Sequence, residues 1–317
     1  MDMNSVSDLF IPAENVEETR LFSNGTLVEY ESISSDIQKQ IQPILDACLS
    51  LQLETGEDNY LSWSDNNTFR VHLESRRQGF VYCLRSQPTF RPSLIEENAN
   101  NIKFPKLLVE LINKNADRHG GLFIVAGSLG VGKSTTCAGI LNHFLCTSGG
   151  VGWAIEDPPE YNLEGSYGTN GACFQHHVKD GDFATSIRSM MRCFPASAPA
   201  TLLIGEIRDE KTAMETLKAL LNGTRVIFSF HSSSPVDAIT RFLSMCESSE
   251  YARQILADSL RLLVFQEKRR EPGNKVSVKF DYIEGNSGAL GAIRTGNMNS
   301  MKDIYIQQKN SRAFNQS

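Results

Sequence analysis

Apolar positions in the second half of the chain form short continuous runs, and segments with helical spacing lie between them. The runs occupy residues 122–127, 151–155, 201–205 and 225–230. In segments 182–194 and 209–223, apolar residues return every three or four positions, which is the spacing of one helix face. Continuous apolar strands that alternate with helices are typical of a parallel sheet covered on both faces. The pattern therefore predicts an α/β domain.

The first 90 residues carry a different pattern, which predicts a smaller α+β domain. Apolar residues from Ile37 to Cys48 follow helical spacing and predict an amphipathic helix over 35–51. Two alternating runs, at 68–74 and 79–85, predict a pair of strands joined by the polar turn SRRQ.

A segment with two prolines and three asparagines, residues 91–105, separates the two patterns and predicts a linker. The predicted organisation is an N-terminal domain at 1–90, a linker at 91–105 and a larger domain at 106–317. The C-terminal quarter is predicted to contain a helix at 250–263, strands within 276–285 and a disordered end at 311–317.

Composition and net charge argue against some classes of function. The 317 residues include 31 Lys and Arg against 37 Asp and Glu, a net charge of −6, which argues against a general nucleic-acid-binding protein. The one compact basic run, KRR (268–270), is interpreted as a solvated surface turn rather than a patch that contacts DNA or membrane.

No apolar run approaches the roughly 18–20 residues that span a bilayer, and the N-terminus lacks the pattern of a secretory signal. Seven scattered cysteines without a CxxC pair favour free thiols in a reducing cytosol.

A phosphate-binding motif is the strongest chemical signal. Residues 127–134 read GSLGVGKS and match G-x-x-x-x-G-K-[ST] at every position, between a predicted strand and a predicted helix. Its glycines allow successive N–H groups to turn inward and form an anion site at a helix N-terminus. Lys133 is expected to contact the β- and γ-phosphates of a nucleotide, and the Ser134 hydroxyl to bind Mg²⁺.

Hydrolysis of the nucleotide requires carboxylates near Mg²⁺ and near the attacking water. Glu206 follows the third apolar run, and Glu156, Asp157 and Glu160 follow the second. These acids could instead cap a helix or lie in a solvated loop, and His231, after the fourth run, could be a buried structural histidine. Because ligands of open α/β sheets bind at the carboxyl ends of strands, a functional interpretation is favoured, with His231 as a sensor of the γ-phosphate.

The order of these motifs resembles that of the secretion ATPases of type II secretion, type IV pili and type IV secretion, and is most similar to PilT-like pilus motors. The motifs are GSLGVGKSTT, AIEDPPEY, GDFATSIRSMMR, LLIGEIRDEKTAMETLKALLNG and FSFHSSSPVDAITRF. Most matching motifs lie within 120–265, and the resemblance is weaker over 1–120. The combination of GEIRD with the acidic segment AIEDPPEY, the acidic box, is specific to this family among P-loop proteins. The resemblance implies a RecA-like P-loop NTPase domain with a smaller, PAS-like N-terminal domain.

The resemblance also implies site residues. Glu206 matches the Walker B acid, Glu160 the general base supported by Glu156 and Asp157, and His231 the second histidine of the family's His box. The implied nucleotide-binding residues are Gly127, Ser128, Leu129, Gly130, Val131, Gly132, Lys133, Ser134 and Thr135. The implied catalytic residues are Glu160, Glu206, Arg70, Arg85 and His231, and the implied Mg²⁺ ligands are Ser134 and Glu206.

Arg70 and Arg85 match arginines of the family's N-terminal domain that reach nucleotide bound between domains or subunits. The planar guanidinium suits this task because it can spread positive charge over the γ-phosphate in the transition state. We expect both arginines to be buried, where they would need anions. The alternative is that they are strand residues in surface ion pairs.

Three positions depart from the family pattern. Thr224 stands where the first His-box histidine is usual, Lys211 where an acid is common, and His176 where an arginine usually follows the acidic box. The four-cysteine zinc insertion of the assembly-type motors and their extra N-terminal domain are also missing. The chain is therefore more similar to a retraction motor, or to the short ATPases of conjugation-type and Dot/Icm-type secretion.

The favoured function is a hexameric, ATP-hydrolysing motor of type IV pilus dynamics, with retraction favoured over assembly. The alternative is the ATPase of a conjugation-type or Dot/Icm-type system, and a RecA-like nucleic-acid motor or a small-molecule kinase is more remote. The resemblance implies ATP and Mg²⁺ as cofactors, and a homohexamer and an inner-membrane platform protein as partners, without nucleic acid or zinc. The expected location is cytoplasmic, peripheral at the inner membrane.

Overall fold

The structure is a computed structural model, and it describes residues 3–23, 25–64, 67–88, 90–95, 104–115, 120–178, 181–246, 250–270 and 276–314. The chain divides into two compact units. One comprises Met1–Phe90 with Glu160–Asn162, and the other Arg91–Pro159 with Leu163–Ser317. Residues 96–103, which make up most of the predicted linker, lie outside the described residues.

The first unit is an antiparallel sheet with a helix packed on one face. Its elements are β1 (Val6–Pro12), β2 (Arg20–Ser23), β3 (Thr26–Glu29), α1 (Ser35–Ser50), β4 (Asp58–Ser64), β5 (Asn67–Arg76) and β6 (Gly79–Ser86). The strand order is β3-β2-β1-β6-β5-β4. The apolar face of α1, from Ile37 to Cys48, is buried in a core with Leu9, Phe69 and Leu84 of the sheet. The α+β class, the helix and the strand pair β5–β6 are as predicted, whereas β1 to β4 were not predicted.

The second unit is a larger α/β domain. Its first half contains α2 (Lys106–Asn113), β7 (Gly121–Gly127), α3 (Lys133–Ser148), β8 (Gly150–Glu156), β9 (Gly165–Tyr167), β10 (Gly171–His177), α4 (Phe183–Met190) and β11 (Ala200–Ile204). Its second half contains α5 (Glu210–Leu221), β12 (Arg225–His231), α6 (Pro235–Met245), α7 (Glu250–Ser259), β13 (Leu260–Arg270), β14 (Val276–Glu284), α8 (Ser287–Thr295) and α9 (Met298–Phe314).

The sheet of this unit has the order β14-β13-β7-β12-β11-β8-β10-β9. Neighbours from β13 to β10 are parallel, and the edge strands β14 and β9 are antiparallel. Every residue of β7 is buried, because helices cover both faces. On one face Leu122 packs in a core with Leu217 of α5 and Phe242 of α6, and on the other Phe123 contacts Phe144 of α3, with ring centroids 4.9 Å apart. This is the predicted α/β architecture, and β12 separates the strand before the glycine-rich loop from the strand before Glu206.

Two expectations for the C-terminal quarter are wrong. The helix predicted to reach residue 263 ends at Ser259, because the apolar run that follows pairs with β7 as strand β13. A disordered end is expected at 311–317, but α9 extends to Phe314, and residues 315–317 lie outside the described residues. Arg312 anchors this helix, since its guanidinium donates to the Tyr282 carbonyl at 2.8 Å and to the Glu284 carboxylate at 3.1 Å. Across the described part of the chain, no helix is both long and apolar enough to cross a membrane.

Candidate nucleotide site

The glycine-rich loop connects β7 to α3 in a conformation that depends on glycine. Gly127, Gly130 and Gly132 have φ angles of 151°, 67° and 90°, which L side chains rarely adopt. A Cβ atom on Gly127 would lie only 2.3 Å from the carbonyl oxygen of Gln266 on the neighbouring strand β13. Gly132 is the N-cap of α3, so the loop ends at the positive end of a 16-residue helix.

Lys133 lies at the centre of this loop. The residue is only 6% exposed, and its Nζ donates to the carbonyl oxygens of Ser128 at 2.8 Å and Gly127 at 3.2 Å. The loop therefore combines one cation with a helix N-terminus and an exposed turn at Ser128–Gly130. This combination can bind a phosphate chain.

The oxygen donors near the loop fit magnesium. Ser134 and Thr135 lie in the first turn of α3, and both are half-buried. Among the described residues no group of three or more His, Cys, Asp or Glu side chains could hold a metal by itself. Mg²⁺ does not need such a group, because it is commonly held by one or two protein oxygens, phosphates and water. The Ser134 hydroxyl and the Glu206 carboxylate are of the required chemical type.

His231 lies beside Lys133. It ends β12 and is paired in register with Gly127 of β7. Its Nδ1 is 3.4 Å from Nζ of Lys133. Partial burial of the ring, together with the charge of Lys133, lowers the pKa of His231 below its ordinary value. The lowered pKa favours the neutral imidazole, whose Nδ1 can accept a hydrogen bond from the lysine.

Glu206 lies just beyond the end of β11. Its carboxylate is paired with the guanidinium of Arg208, and this hydrogen bond raises the pKa of Arg208. The turn before it is fixed by two bonds to adjacent strands. Gly205 donates its N–H to the Ile155 carbonyl at 2.8 Å and accepts a hydrogen bond from the Ser229 hydroxyl. The acid is thus positioned at the end of a strand that is separated from β7 by β12 alone.

The three acids of the acidic box, Glu156, Asp157 and Glu160, lie in different surroundings. Glu156, the last residue of β8, is buried and accepts a hydrogen bond from the Gln175 amide at 2.9 Å. Asp157 lies 3.7 Å from Nε2 of His177 and precedes a cis peptide bond to Pro158. Glu160 is exposed and is grouped with the first unit. The geometry of the second unit therefore brings Glu156 and Asp157 to the end of β8, and the role of Glu160 stays a prediction.

The three positions that depart from the family pattern are structural or exposed. Thr224 is buried, and its hydroxyl contacts the sulfur of Met191 at 3.8 Å. Nε2 of His176 lies 3.1 Å from the Ser186 hydroxyl, and burial lowers the pKa of this histidine. Lys211 is exposed in the first turn of α5.

Arg70 and Arg85 are not buried, contrary to our expectation. Their side chains are 31% and 71% exposed, and the two residues lie opposite each other on β5 and β6. Each has a carboxylate partner within the first unit. Arg70 forms a two-point contact with Asp58 at 3.1 and 3.0 Å, and Arg85 contacts Asp8 at 2.8 Å. Partial burial acts to raise the pKa of Asp58, but the bonds from Arg70 hold it below its ordinary value. These arginines are therefore neutralised without a phosphate.

Two residues of this region had no role in the sequence analysis. Arg208 belongs to the GEIRD motif, and its position two residues after Glu206 could have indicated that the two side chains form an ion pair. Gln266 of β13 is 2% exposed, and its amide Nε2 lies 3.5 Å from the Val131 carbonyl of the loop. Its Oε1 has no hydrogen-bond partner among the described residues. Its isolated place in an apolar strand gave no indication of this contact.

Comparisons with known proteins identify the family. The family model described as "Type II/IV secretion system protein" matches residues 83–285. The chain is 26% identical over 258 residues to the uncharacterized protein YggR of Escherichia coli, covering 80% of this chain and 75% of that protein. It is 32% identical over 158 residues to type II secretion system protein E of Aeromonas hydrophila, covering 48% of this chain but only 30% of that protein.

Two solved structures share the fold. The pilus retraction motor PilT, solved with bound ADP, covers 94% of this chain with a TM-score of 0.74 and 22% identity, and the match spans 85% of its own chain. The Legionella pneumophila ATPase DotB covers 97% of this chain with a TM-score of 0.72 and 20% identity, and the match spans 83% of its own chain. Together with the family match, these likenesses confirm the P-loop ATPase fold. The chain belongs to the type II/IV secretion system protein family.

Proposed function

We propose that this protein is an ATP-hydrolysing motor of a type IV pilus or a related secretion system. The observation that supports the proposal is the placement of three residues after three adjacent strands: Lys133 at the start of the helix that follows β7, His231 at the end of β12 and Glu206 just beyond β11. The loop binds the phosphates of ATP through Gly127–Thr135. Ser134 and Glu206 hold Mg²⁺, which supplies charge compensation for the phosphates. Glu160 acts as general base, and Glu156 and Asp157 support it.

The mechanical role requires assembly and a membrane partner. We propose a homohexamer in which residues 1–90 and 106–317 act as separate domains around the linker 91–105. Such a ring works at the cytoplasmic side of the inner membrane on a platform protein, without nucleic acid or zinc. Pilus retraction is the favoured direction of work, because the order of the sequence motifs resembles that of PilT-like pilus motors and the fold is shared with the retraction motor PilT. A conjugation-type or Dot/Icm-type secretion ATPase is the alternative.

Native mass and ATPase measurements on the full-length protein test this function. We expect a species of about six copies in the presence of Mg-ATP. We also expect hydrolysis to require Mg²⁺, because the γ-phosphate needs charges supplied by more than one element. Addition of DNA should leave the rate unchanged. A monomer that phosphorylates a small molecule, or a rate that depends on DNA, would contradict a secretion motor.

The arginines of the first unit are proposed to complete the active site of the ring. In the free unit, Asp58 and Asp8 neutralise Arg70 and Arg85, so the arginines must exchange these carboxylates for phosphate oxygens. The exposed Arg85 needs little desolvation for this exchange. A guanidinium that arrives only in the assembled ring couples hydrolysis to the relative positions of the subunits.

We expect Arg85→Ala to lower the hydrolysis rate by about 10³ while ATP affinity and ring assembly stay unchanged, because an arginine of this kind acts mainly on the transition state. Arg70→Ala should behave in the same way. Arg76→Ala is the matched control, since Arg76 also lies on β5 but is paired with Glu14 and Glu18. Steady-state rates, nucleotide titration and native mass measure the three properties. An Arg85→Ala protein that hydrolyses ATP at the wild-type rate would leave the first unit without a catalytic role.

A further inference from the structure

The basic run KRR (268–270) is not the surface turn that the sequence suggested. It forms the end of β13, the parallel neighbour of β7. In this pairing Gln266 lies opposite Gly127, the first residue of the glycine-rich loop. The basic residues therefore continue the strand past the point where β7 turns into the loop.

Alternation along β13 directs Gln266 and Lys268 to the same face. The contacts agree with this, because the Gln266 amide reaches the Val131 carbonyl of the loop. A Cβ atom on Gly130 would lie 3.4 Å from Nζ of Lys268. The Cα atom of Gly130 is one C–C bond from that Cβ position. Nζ of Lys268 therefore lies within about 5 Å of the loop backbone.

Lys268 differs from neighbouring lysines in its partners. Lys279 of β14 and Lys309 of α9 are each 3.1 Å from the Asp281 carboxylate. No carboxylate of the described chain forms an ion pair with Lys268, which is exposed. Its charge is therefore not compensated by a described neighbour, and it lies beside an exposed glycine of a loop whose geometry suits anions.

We propose that Lys268 is a second cation of the phosphate site, which binds the phosphate chain of the nucleotide from the β13 side of the loop. This inference rests on the proposed nucleotide-binding function. Lys133 contacts the loop carbonyls of Gly127 and Ser128, whereas Lys268 of the neighbouring strand lies beside Gly130. Its flexible stem and exposed position allow the ammonium to move onto the bound phosphates.

The test compares Lys268→Gln with Lys268→Arg and Arg269→Gln in the full-length protein. Arg269→Gln removes the same charge from the next residue, whose side chain lies on the other face of β13. Titration calorimetry with Mg-ATP and with inorganic tripolyphosphate measures affinity at several salt concentrations. We expect Lys268→Gln to weaken both ligands by about tenfold, equivalent to about 1.4 kcal/mol, because it removes one charge-assisted contact with phosphate. Lys268→Arg and Arg269→Gln should stay within about twofold of the wild type.

Three further readouts separate a phosphate contact from other roles. The salt dependence of ATP affinity should be shallower in Lys268→Gln, because one cation fewer meets the phosphates. The unfolding midpoint without nucleotide should not change, and a fall would indicate that the lysine only supports the loop. Weakened ATP binding with unchanged tripolyphosphate binding would overturn the proposal in favour of a contact with the base or ribose.

Comparison with Lys133→Ala separates a failure of the inference about Lys268 from a failure of the proposed nucleotide site. If the wild type binds ATP, Lys133→Ala does not, and Lys268→Gln binds as tightly as the wild type, the inference about Lys268 is wrong and the nucleotide site stands. If the wild type binds neither ATP nor tripolyphosphate, the proposed function fails and the second cation fails with it.

Discussion

Lys133→Ala is expected to abolish ATP hydrolysis and to weaken ATP binding by at least about a hundredfold, because it removes the buried cation of the glycine-rich loop. Nζ of Lys133 donates to the carbonyls of Gly127 and Ser128 and thereby stabilises the loop around itself. In the complex the same ammonium group would turn to the β- and γ-phosphates. Alanine loses both interactions and leaves two carbonyl groups without their donor.

Lys211→Ala is the matched control for this experiment. Lys211 is exposed in the first turn of α5, so its substitution removes the same charge without touching the loop. Titration with Mg-ATP and a steady-state phosphate-release assay measure the two expected losses. Circular dichroism through a thermal transition shows whether the variant is folded. Wild-type turnover by a folded Lys133→Ala protein would refute the assignment of the loop as the nucleotide site.

The parts of the fold that could be predicted are those in which a local pattern determines the structure. The runs 122–127, 201–205 and 225–230 are continuous because helices cover both faces of the sheet, so burial itself produces the signal. The loop could be predicted because its backbone needs glycine at 127, 130 and 132, and that need is visible in the sequence.

Other elements depend on contacts between distant residues, which no local pattern records. The strand β4 (Asp58–Ser64) has no fully buried residue, so it carries little periodic signal. Helix α9 carries little helical periodicity, because Met301 is buried in the core but Ile306 is exposed. It is also held by Arg312, whose partners Tyr282 and Glu284 are about 30 residues away. The start of β13 was assigned to the preceding helix because Leu260 and Leu263 follow Leu256 at spacings of four and three residues, which continue the helical pattern of α7.

The candidate site was only partly predictable for the same reason. The sequence indicates that the glycine-rich loop, Glu206 and His231 follow the carboxyl ends of strands, and in a parallel sheet these ends lie at one edge. It does not give the order β7-β12-β11, which makes the three strands neighbours. The partners of Arg70 and Arg85 could not be inferred. Asp58 and Asp8 lie on strands that the sequence did not reveal, so the carboxylates appear only when the register is known.

Glu206→Gln and Glu160→Gln are expected to retain ATP binding and to lower the hydrolysis rate by about 10²–10⁴, because each removes a negative charge needed late in the reaction. In the proposed mechanism Glu206 would be a ligand of Mg²⁺, and Glu160 would accept the proton of the attacking water. Glutamine has nearly the same shape, so the turn at Gly205 and its bonds to Ile155 and Ser229 should be preserved.

The two variants should differ in their response to Mg²⁺. Glu206→Gln weakens the metal site, so a higher Mg²⁺ concentration should recover part of its activity, whereas Glu160→Gln should show no recovery because no proton acceptor returns. Glu210→Gln is the control, since this exposed acid at the start of α5 lies four residues after Glu206. If Glu160→Gln hydrolyses ATP at the wild-type rate, the base must be sought among the acids that the second unit itself carries at the end of β8. Asp157 is then the better candidate, because Glu156 is buried and already bound to the Gln175 amide.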